Sequence, residues 1–301
     1  MKINNFFLFT IPALIWGTTW YAIKFQLGTV NPLLSVAYRF AIAGILLLMI
    51  CRVLGMNLKF SLKSHFYILL QALSLFSINY WLVYFAELNL TSGLVAIVFS
   101  LIIFLNIFFN SILLKAAVRK EVLIGGILGF SGTLIVFKNE FQALSLSDKH
   151  FYALILSLIS VILASLGNIT SAYNQKKDLP VIQTNAFGMT YGSIFTFIVA
   201  LIAGKEFNFD LSVPYIISLV YLALLGSIVA FGLYLKLIGN IGPDRAAYII
   251  LITPLIAIVV SVIFEDYILH KSAILGIILL ISGNILVLNK RININKILQW
   301  K

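Results

Sequence analysis

The chain has 301 residues, of which 61% are hydrophobic and 10% charged, and its formal net charge is +11. A soluble domain carries about 25% charged residues, so there is too little polar surface to cover a globule in water, and lipid is the expected solvent. The basic residues sit at the ends of apolar runs, which argues against a nucleic-acid partner, and the single cysteine, Cys51, excludes an intramolecular disulfide and an all-cysteine metal site.

A helix needs about 20 apolar residues to cross the hydrocarbon, and ten runs qualify. Their limits are read at 6–26, 33–51, 65–86, 93–114, 121–138, 150–172, 180–203, 213–235, 245–264 and 271–289. Glycine, proline or charge marks the breaks between them. The first run starts after Lys2 and continues through Trp16, Gly17 and Trp20 to Lys24. No small-x-small cleavage site interrupts it, so it is read as a retained span rather than a signal peptide. Trp16 and Gly17 stand at its midpoint, and Trp16 and Trp20, four apart, share a face. Tryptophan normally collects at the interface. One near the midplane needs a cavity or a backbone carbonyl for its N–H, and both remain open.

The second run opens at Pro32 and carries Arg39. Lys24 and Arg39 lie in the outer part of their spans. They either snorkel to the headgroups or form an outer vestibule that attracts a carboxylate or steadies Glu87. The third run carries Ser77, Asn79, Tyr80 and Tyr84 as a polar and aromatic stripe. An amide inside a membrane helix is costly unless bonded, so Asn79 glues helices or meets a solute. The fourth opens at Thr91-Ser92-Gly93 and reaches Phe99 and Ser100. Asn106 and Asn110 in the fourth run and Asn168 in the sixth are read as interhelical glue. Gly125, Gly129 and Gly132 in the fifth run, echoed by Gly276 and Gly283 in the tenth, suit close helix packing or a homodimer face. The ninth run carries Tyr248, Thr253 and Pro254. The proline frees the carbonyl of Ile250, either to bind a solute or to let the helix bend. Gly17 and Pro254 are the expected hinges. The basic tail from Lys290 to Lys301 either rests on the anionic inner leaflet or frays.

The chain also repeats itself. Residues 90–136 fall on 241–287 at an offset of 151, with Ala96/Ala247, Ile112/Ile263, Gly125/Gly276, Ser131/Ser282, Gly132/Gly283 and Val136/Val287 identical. Each half holds five spans. Five is odd, so the second half enters the membrane from the opposite side. With the N-terminus inside, 15 Lys and Arg residues fall on the inner side and 6 on the outer, which places both termini in the cytoplasm. The expected fold class is an all-α membrane protein of ten transmembrane helices, built as two inverted five-helix repeats. The first is 1–147, and the second, 148–301, ends in the short basic cytoplasmic tail. Such halves can rock around one central site.

Trp16-Gly17, Lys24, Pro32, Arg39, Ala41 and Ala43 stand in an order that resembles the first two helices of EamA-type transporters of the drug/metabolite transporter superfamily. Arg245-Ala246, Pro254, Glu265, Gly276 and Gly283 resemble that family's last two helices. The resemblance covers nearly the whole chain. It implies a bacterial plasma-membrane exporter of small metabolites, amino acids or their derivatives foremost. Departures exist: Ile103 stands where Pro254 does in the second half, and Leu114 where Glu265 does. The first span also lacks the glutamate of the small four-span multidrug members.

All ten carboxylates, Glu87, Glu121, Glu140, Asp148, Asp178, Glu206, Asp210, Asp244, Glu265 and Asp266, lie at span ends or in loops. A proton-coupled pump usually keeps an ionisable group within the membrane. A facilitator or exchanger is therefore expected, with a proton-coupled drug or nucleotide-type metabolite transporter as the alternative. Direction is not set by the sequence. His65, His150 and His270 are far apart and near span ends, so an intramembrane transferase, a metal site and catalytic residues are not expected. No phosphate-binding Gly-Lys-Ser loop occurs, and no cofactor is expected. A non-transporting scaffold is the remaining rival. The partners are the bilayer and a small solute. That solute is to be held by Trp16, Trp20, Asn79, Tyr80, Tyr84, Phe99, Tyr248 and Thr253, the aromatics stacking and the amide and hydroxyls orienting it.

Overall fold

The structure, a computed structural model, describes residues 4–142, 148–264 and 271–288. Lys2, Glu265, Asp266, His270 and the basic tail lie outside the described residues. In chain order the helices are α1 (Asn5–Lys24), α2 (Pro32–Val53), α3 (Leu62–Leu75), α4 (Ile78–Glu87), α5 (Ser92–Ser100), α6 (Ile102–Leu113), α7 (Lys120–Val136) and α8 (Lys138–Gln142). They continue with α9 (Asp148–Lys176), α10 (Val181–Ile202), α11 (Val213–Tyr221), a π-helical segment (Leu222–Val229), α12 (Ala230–Ile241), α13 (Pro243–Ala246), α14 (Ile249–Phe264) and α15 (Lys271–Leu288). These make ten helical passes. Among the described residues, eight stretches are long and apolar enough to cross a membrane. The seventeen residues of α7 span about 26 Å at 1.5 Å per residue, slightly short of the roughly 30 Å hydrocarbon core.

The helix starts follow from their capping residues. Asn4 and Asn31 accept hydrogen bonds from the backbone N–H groups of Phe6 and Leu33, with Pro32 at the first turn of α2. Ser61 and Thr91 cap α3 and α5 in the same way, through the N–H groups of Ser64 and Leu94. Each satisfies one of the four orphan donors of a helix start.

Among the described residues, four passes expected to be continuous are interrupted. The third breaks at Phe76-Ser77, where Ser77 takes φ −137° and ψ −94°. Its hydroxyl bonds that of Thr196 at 2.7 Å. Gly192 lets α10 approach the break, since a Cβ there would lie 2.8 Å from the Phe76 carbonyl oxygen. The fourth pass turns at Leu101, which keeps helical φ −65° and ψ −16°, the eighth contains the π segment, and the ninth turns at Ala247-Tyr248 between α13 and α14. The 151-residue offset carries Ser77 onto Ile228, inside that segment. The offset thus aligns the break of the first repeat with the π segment of the second, and irregular backbone inside a membrane protein persists where it is enclosed by protein or lines a cavity.

Two helix pairs hold the repeats together. α2 runs against α10, with Gly44 facing the backbone of Thr190. α7 runs against α15. There a Cβ on Gly132 would lie 2.7 Å from the Gly276 carbonyl oxygen, and one on Gly283 would lie 2.6 Å from that of Gly125. This corrects the homodimer reading of the glycine stripes: they face each other within one chain, so they are not a surface for a second copy. α1 crosses α14 at Gly17, where a Cβ would meet the side chain of Ile256 and lie 3.2 Å from the Thr253 carbonyl oxygen. Gly17, expected as a hinge, is a close-approach position in this structure.

Buried polar side chains join the passes as expected of membrane helices. Asn106 Nδ2 donates to the Pro243 carbonyl at 2.9 Å and its Oδ1 accepts from Ser165 Oγ at 2.7 Å. Large apolar side chains such as Val53, Leu62 and Ile202 face outward, the surface a lipid-embedded protein presents.

Candidate functional site

Where the repeats meet, α1–α6, α9, α12 and α14 enclose a cavity of about 100 Å³, well above what a single water needs. Its lining follows the internal symmetry. The 151-residue offset carries Tyr80, Val83, Phe99 and Ile102 onto Phe231, Tyr234, Ile250 and Thr253, and all eight line the cavity. The cavity therefore sits on the pseudo-two-fold axis, where each repeat supplies one wall.

Of the residues expected to hold a solute, Trp16, Trp20, Asn79, Tyr80, Phe99 and Thr253 line this cavity. Trp16 Nε1 donates to the Gly226 carbonyl at 3.1 Å, and its ring meets Phe231 and Tyr234 edge-on with centroids 5.0 Å away in each case. Both readings of the midplane tryptophan, cavity wall and backbone donor, describe the same side chain. Trp20 is half-buried and meets Phe99 edge-on. Asn79 accepts from Ser160 Oγ at 2.7 Å, so its amide also ties α4 to α9. Thr253 Oγ1 donates to the Ile250 carbonyl at 3.0 Å. The carbonyl that Pro254 frees is thus taken up by its own neighbour and is not left for a solute.

Tyr84 and Tyr248 are not in the lining. Tyr84 is fully buried one turn beyond Tyr80, beside Arg39. Tyr248 is buried against α7, where its hydroxyl donates to the Val122 carbonyl at 2.5 Å and lies beside Gly125. Lys24 ends α1 on the surface, and its charge acts on Glu87.

Arg39 behaves differently from either expectation. It neither snorkels to the surface nor stands in a vestibule: it is 1% exposed and lines the cavity, where it is the sole charged residue among the described residues. Nε donates to Ser227 Oγ at 2.9 Å, and the guanidinium carbon lies 4.7 Å from the Tyr80 ring centroid.

Sequence reasoning overlooked Phe231, Tyr234 and Asn168. The internal offset, applied to Tyr80, identifies Phe231; it links Tyr234 to Val83, which the sequence did not single out. Asn168, read as glue, does donate to the Tyr234 hydroxyl at 3.0 Å, yet it lines the cavity and its Oδ1 has no partner.

A second cleft of about 480 Å³ lies two turns along α6, α9 and α12, bounded by Asn110, Arg119, Gln175 and Asp244. Arg119 Nη2 and Asp244 Oδ2 form an ion pair at 3.1 Å across it. The Asn106–Pro243–Ser165 network stands between cavity and cleft along these helices. Among the described residues no group of His, Cys, Asp and Glu is placed to hold a metal ion.

The EamA-like transporter family matches residues 5–138 and, again, 151–289. The chain is 29% identical over 250 residues to the Escherichia coli K12 inner membrane transporter YedA, itself uncharacterized, covering 82% of this chain and 78% of that one. It is 24% identical over 294 residues to protein PagO of Salmonella typhimurium, covering 96% and 94%. One solved crystal structure superposes with a TM-score of 0.76 over 94% of this chain and 96% of its own, at 13% identity, which shows a shared fold.

Proposed function

The chain belongs to the EamA-like transporter family, and from that premise we propose that it exports small organic metabolites, amino acids or their derivatives with an aromatic or apolar body, across the bacterial inner membrane. The reading rests above all on the central cavity. It lies between two inverted halves, each half supplies one wall, and its lining is predominantly aromatic and aliphatic. A solute ring would be held by Trp16, Trp20, Tyr80, Phe99, Phe231 and Tyr234. Asn79, Asn168 and Thr253 would orient its polar groups.

In this reading residues 1–147 and 148–301 rock against each other with both termini in the cytoplasm. Closure on the inner side is supplied by the Asn106–Pro243–Ser165 network and the Arg119–Asp244 pair, because both join the first half to the second. Opening toward the cytoplasm exchanges those bonds for water. Among the described residues no carboxylate lines the cavity, which favours facilitated diffusion or exchange over proton coupling.

Counterflow in proteoliposomes tests the reading. Purified protein is loaded with one unlabelled solute at a time and offered radiolabelled aromatic and aliphatic amino acids, a nucleoside and a sugar phosphate. Saturable uptake of amino acids without an imposed pH gradient is the expected result. Uptake that appears only with a pH gradient would move the assignment to proton coupling, with Glu87 the first residue to replace.

A further inference from the structure

Arg39 is the feature that the proposed function leaves unexplained. A buried cation without a counter-ion costs several kcal/mol, and inside a membrane protein an ionisable group marks a functional site. Lysine or histidine in that place escapes by losing its proton, whereas arginine stays charged in proteins. Among the described residues no carboxylate pairs with Arg39, and its Nη1 is buried without a hydrogen-bond partner.

The surroundings hold the guanidinium in place. Ser227 Oγ accepts from Nε, and its own hydroxyl donates to the Leu222 carbonyl at 2.9 Å, a bond spanning five residues that the π segment makes possible. Gly226 leaves room beside the group, since a Cβ there would lie 3.3 Å from Nη2. The same residue's carbonyl is the acceptor for Trp16. Tyr80 and Phe40 rings flank the cation, with centroids at 4.7 and 5.3 Å. One side chain of the π segment thus positions the guanidinium, and one of its carbonyls fixes the Trp16 ring. π segments inside helices recur at functional sites. The partner span in the second repeat, residues 181–202, contains no Lys or Arg, so the cavity is one-sided in charge, and of its aromatic residues only Tyr80 and Phe231 correspond under the offset.

We propose that Arg39 anchors the carboxylate of the transported solute. The planar fork of a guanidinium matches a carboxylate through two parallel hydrogen bonds. A single cation neutralises a monoanion and under-compensates a phosphate dianion. The ring of the solute then lies against Trp16, Phe231 and Tyr234, and the charge asymmetry gives it one orientation. The inference rests on the solute-cavity reading above, and it narrows the substrate class to monocarboxylates with an apolar or aromatic body, with or without an amine.

The test uses three probes of one shape: tryptophan, indole-3-propionate and tryptamine. Each is offered to the wild-type protein in proteoliposomes as a competitor of labelled tryptophan counterflow, and in a separate binding titration followed by protein thermal shift. The two acids are expected to bind and compete at least tenfold more strongly than the amine. Arg39→Lys should retain that order at reduced affinity, and Arg39→Gln should abolish it. Equal binding of tryptamine and the acids by the wild type overturns the anchor while leaving the cavity as a solute site. Binding of none of the three, by either readout, overturns both. The wild-type comparison decides the matter even where Arg39→Gln fails to fold.

Discussion

Replacing Trp16 separates its two contributions. Its indole N–H bonds the Gly226 carbonyl at 3.1 Å, and its ring meets Phe231 and Tyr234 edge-on at 5.0 Å each. Trp16→Phe deletes the hydrogen bond and keeps a ring between the same neighbours. A side-chain hydrogen bond between membrane helices is worth about 0.6 kcal/mol on average and about 1.7 at most. The melting temperature should therefore fall by only a few degrees, and the KM for an aromatic amino acid should change by less than about twofold. Trp16→Ala also removes both ring contacts, each worth about 0.5–1.5 kcal/mol, and leaves a void whose lining loses its contacts. If a solute ring stacks on Trp16, one further contact of about 1 kcal/mol is lost in the complex alone, and KM should rise about fivefold. Counterflow at matched protein density gives KM and Vmax, and a thermal-shift assay gives stability. A Trp16→Ala protein that melts several degrees lower yet keeps the wild-type KM would refute the reasoning, because Trp16 would then be structural and no wall of the solute site.

Gly132→Ala places a Cβ 2.7 Å from the Gly276 carbonyl oxygen, against backbone that cannot rotate away. Separating α7 from α15 should cost about 1–3 kcal/mol, seen as a lower melting temperature, and an unchanged value would show the pair to be loosely packed. Asp244→Asn weakens the Arg119 pair, which is partly exposed and worth about 1 kcal/mol or less. It should raise the rate at which a cysteine at Ile102 is labelled from the cytoplasmic side by a few-fold, and no change would remove this pair from the inner closure. The native Cys51 is fully buried and should not interfere. A cysteine at Trp20 should react with a polar thiol reagent and be protected by a transported amino acid, whereas a scaffold without a solvated cavity would leave it inert.

The sequence by itself determined the class, the ten passes and their pairing into repeats. Apolar run length against bilayer thickness leaves little choice, and inversion follows from an odd number of spans per half. The offset of 151 also contained much of the cavity, since it links Tyr80 to Phe231 and Val83 to Tyr234. The interruptions were not legible. Neither Phe76-Ser77 nor Leu222–Val229 contains proline, and the glycine that permits the first break, Gly192, lies on another helix. Tyr80 and Tyr84 share a stripe by spacing alone, yet one helical turn along the axis carries Tyr84 out of the cavity and into the core. The same holds for Tyr248, whose hydroxyl is claimed by a carbonyl of α7. Arg39 shows the division most sharply. A sequence places a long cationic side chain at a depth, and at that depth it can reach either headgroups or interior. Which way it turns depends on Ser227, Tyr80 and Gly226, residues up to 188 positions away that only the packed helices bring to it.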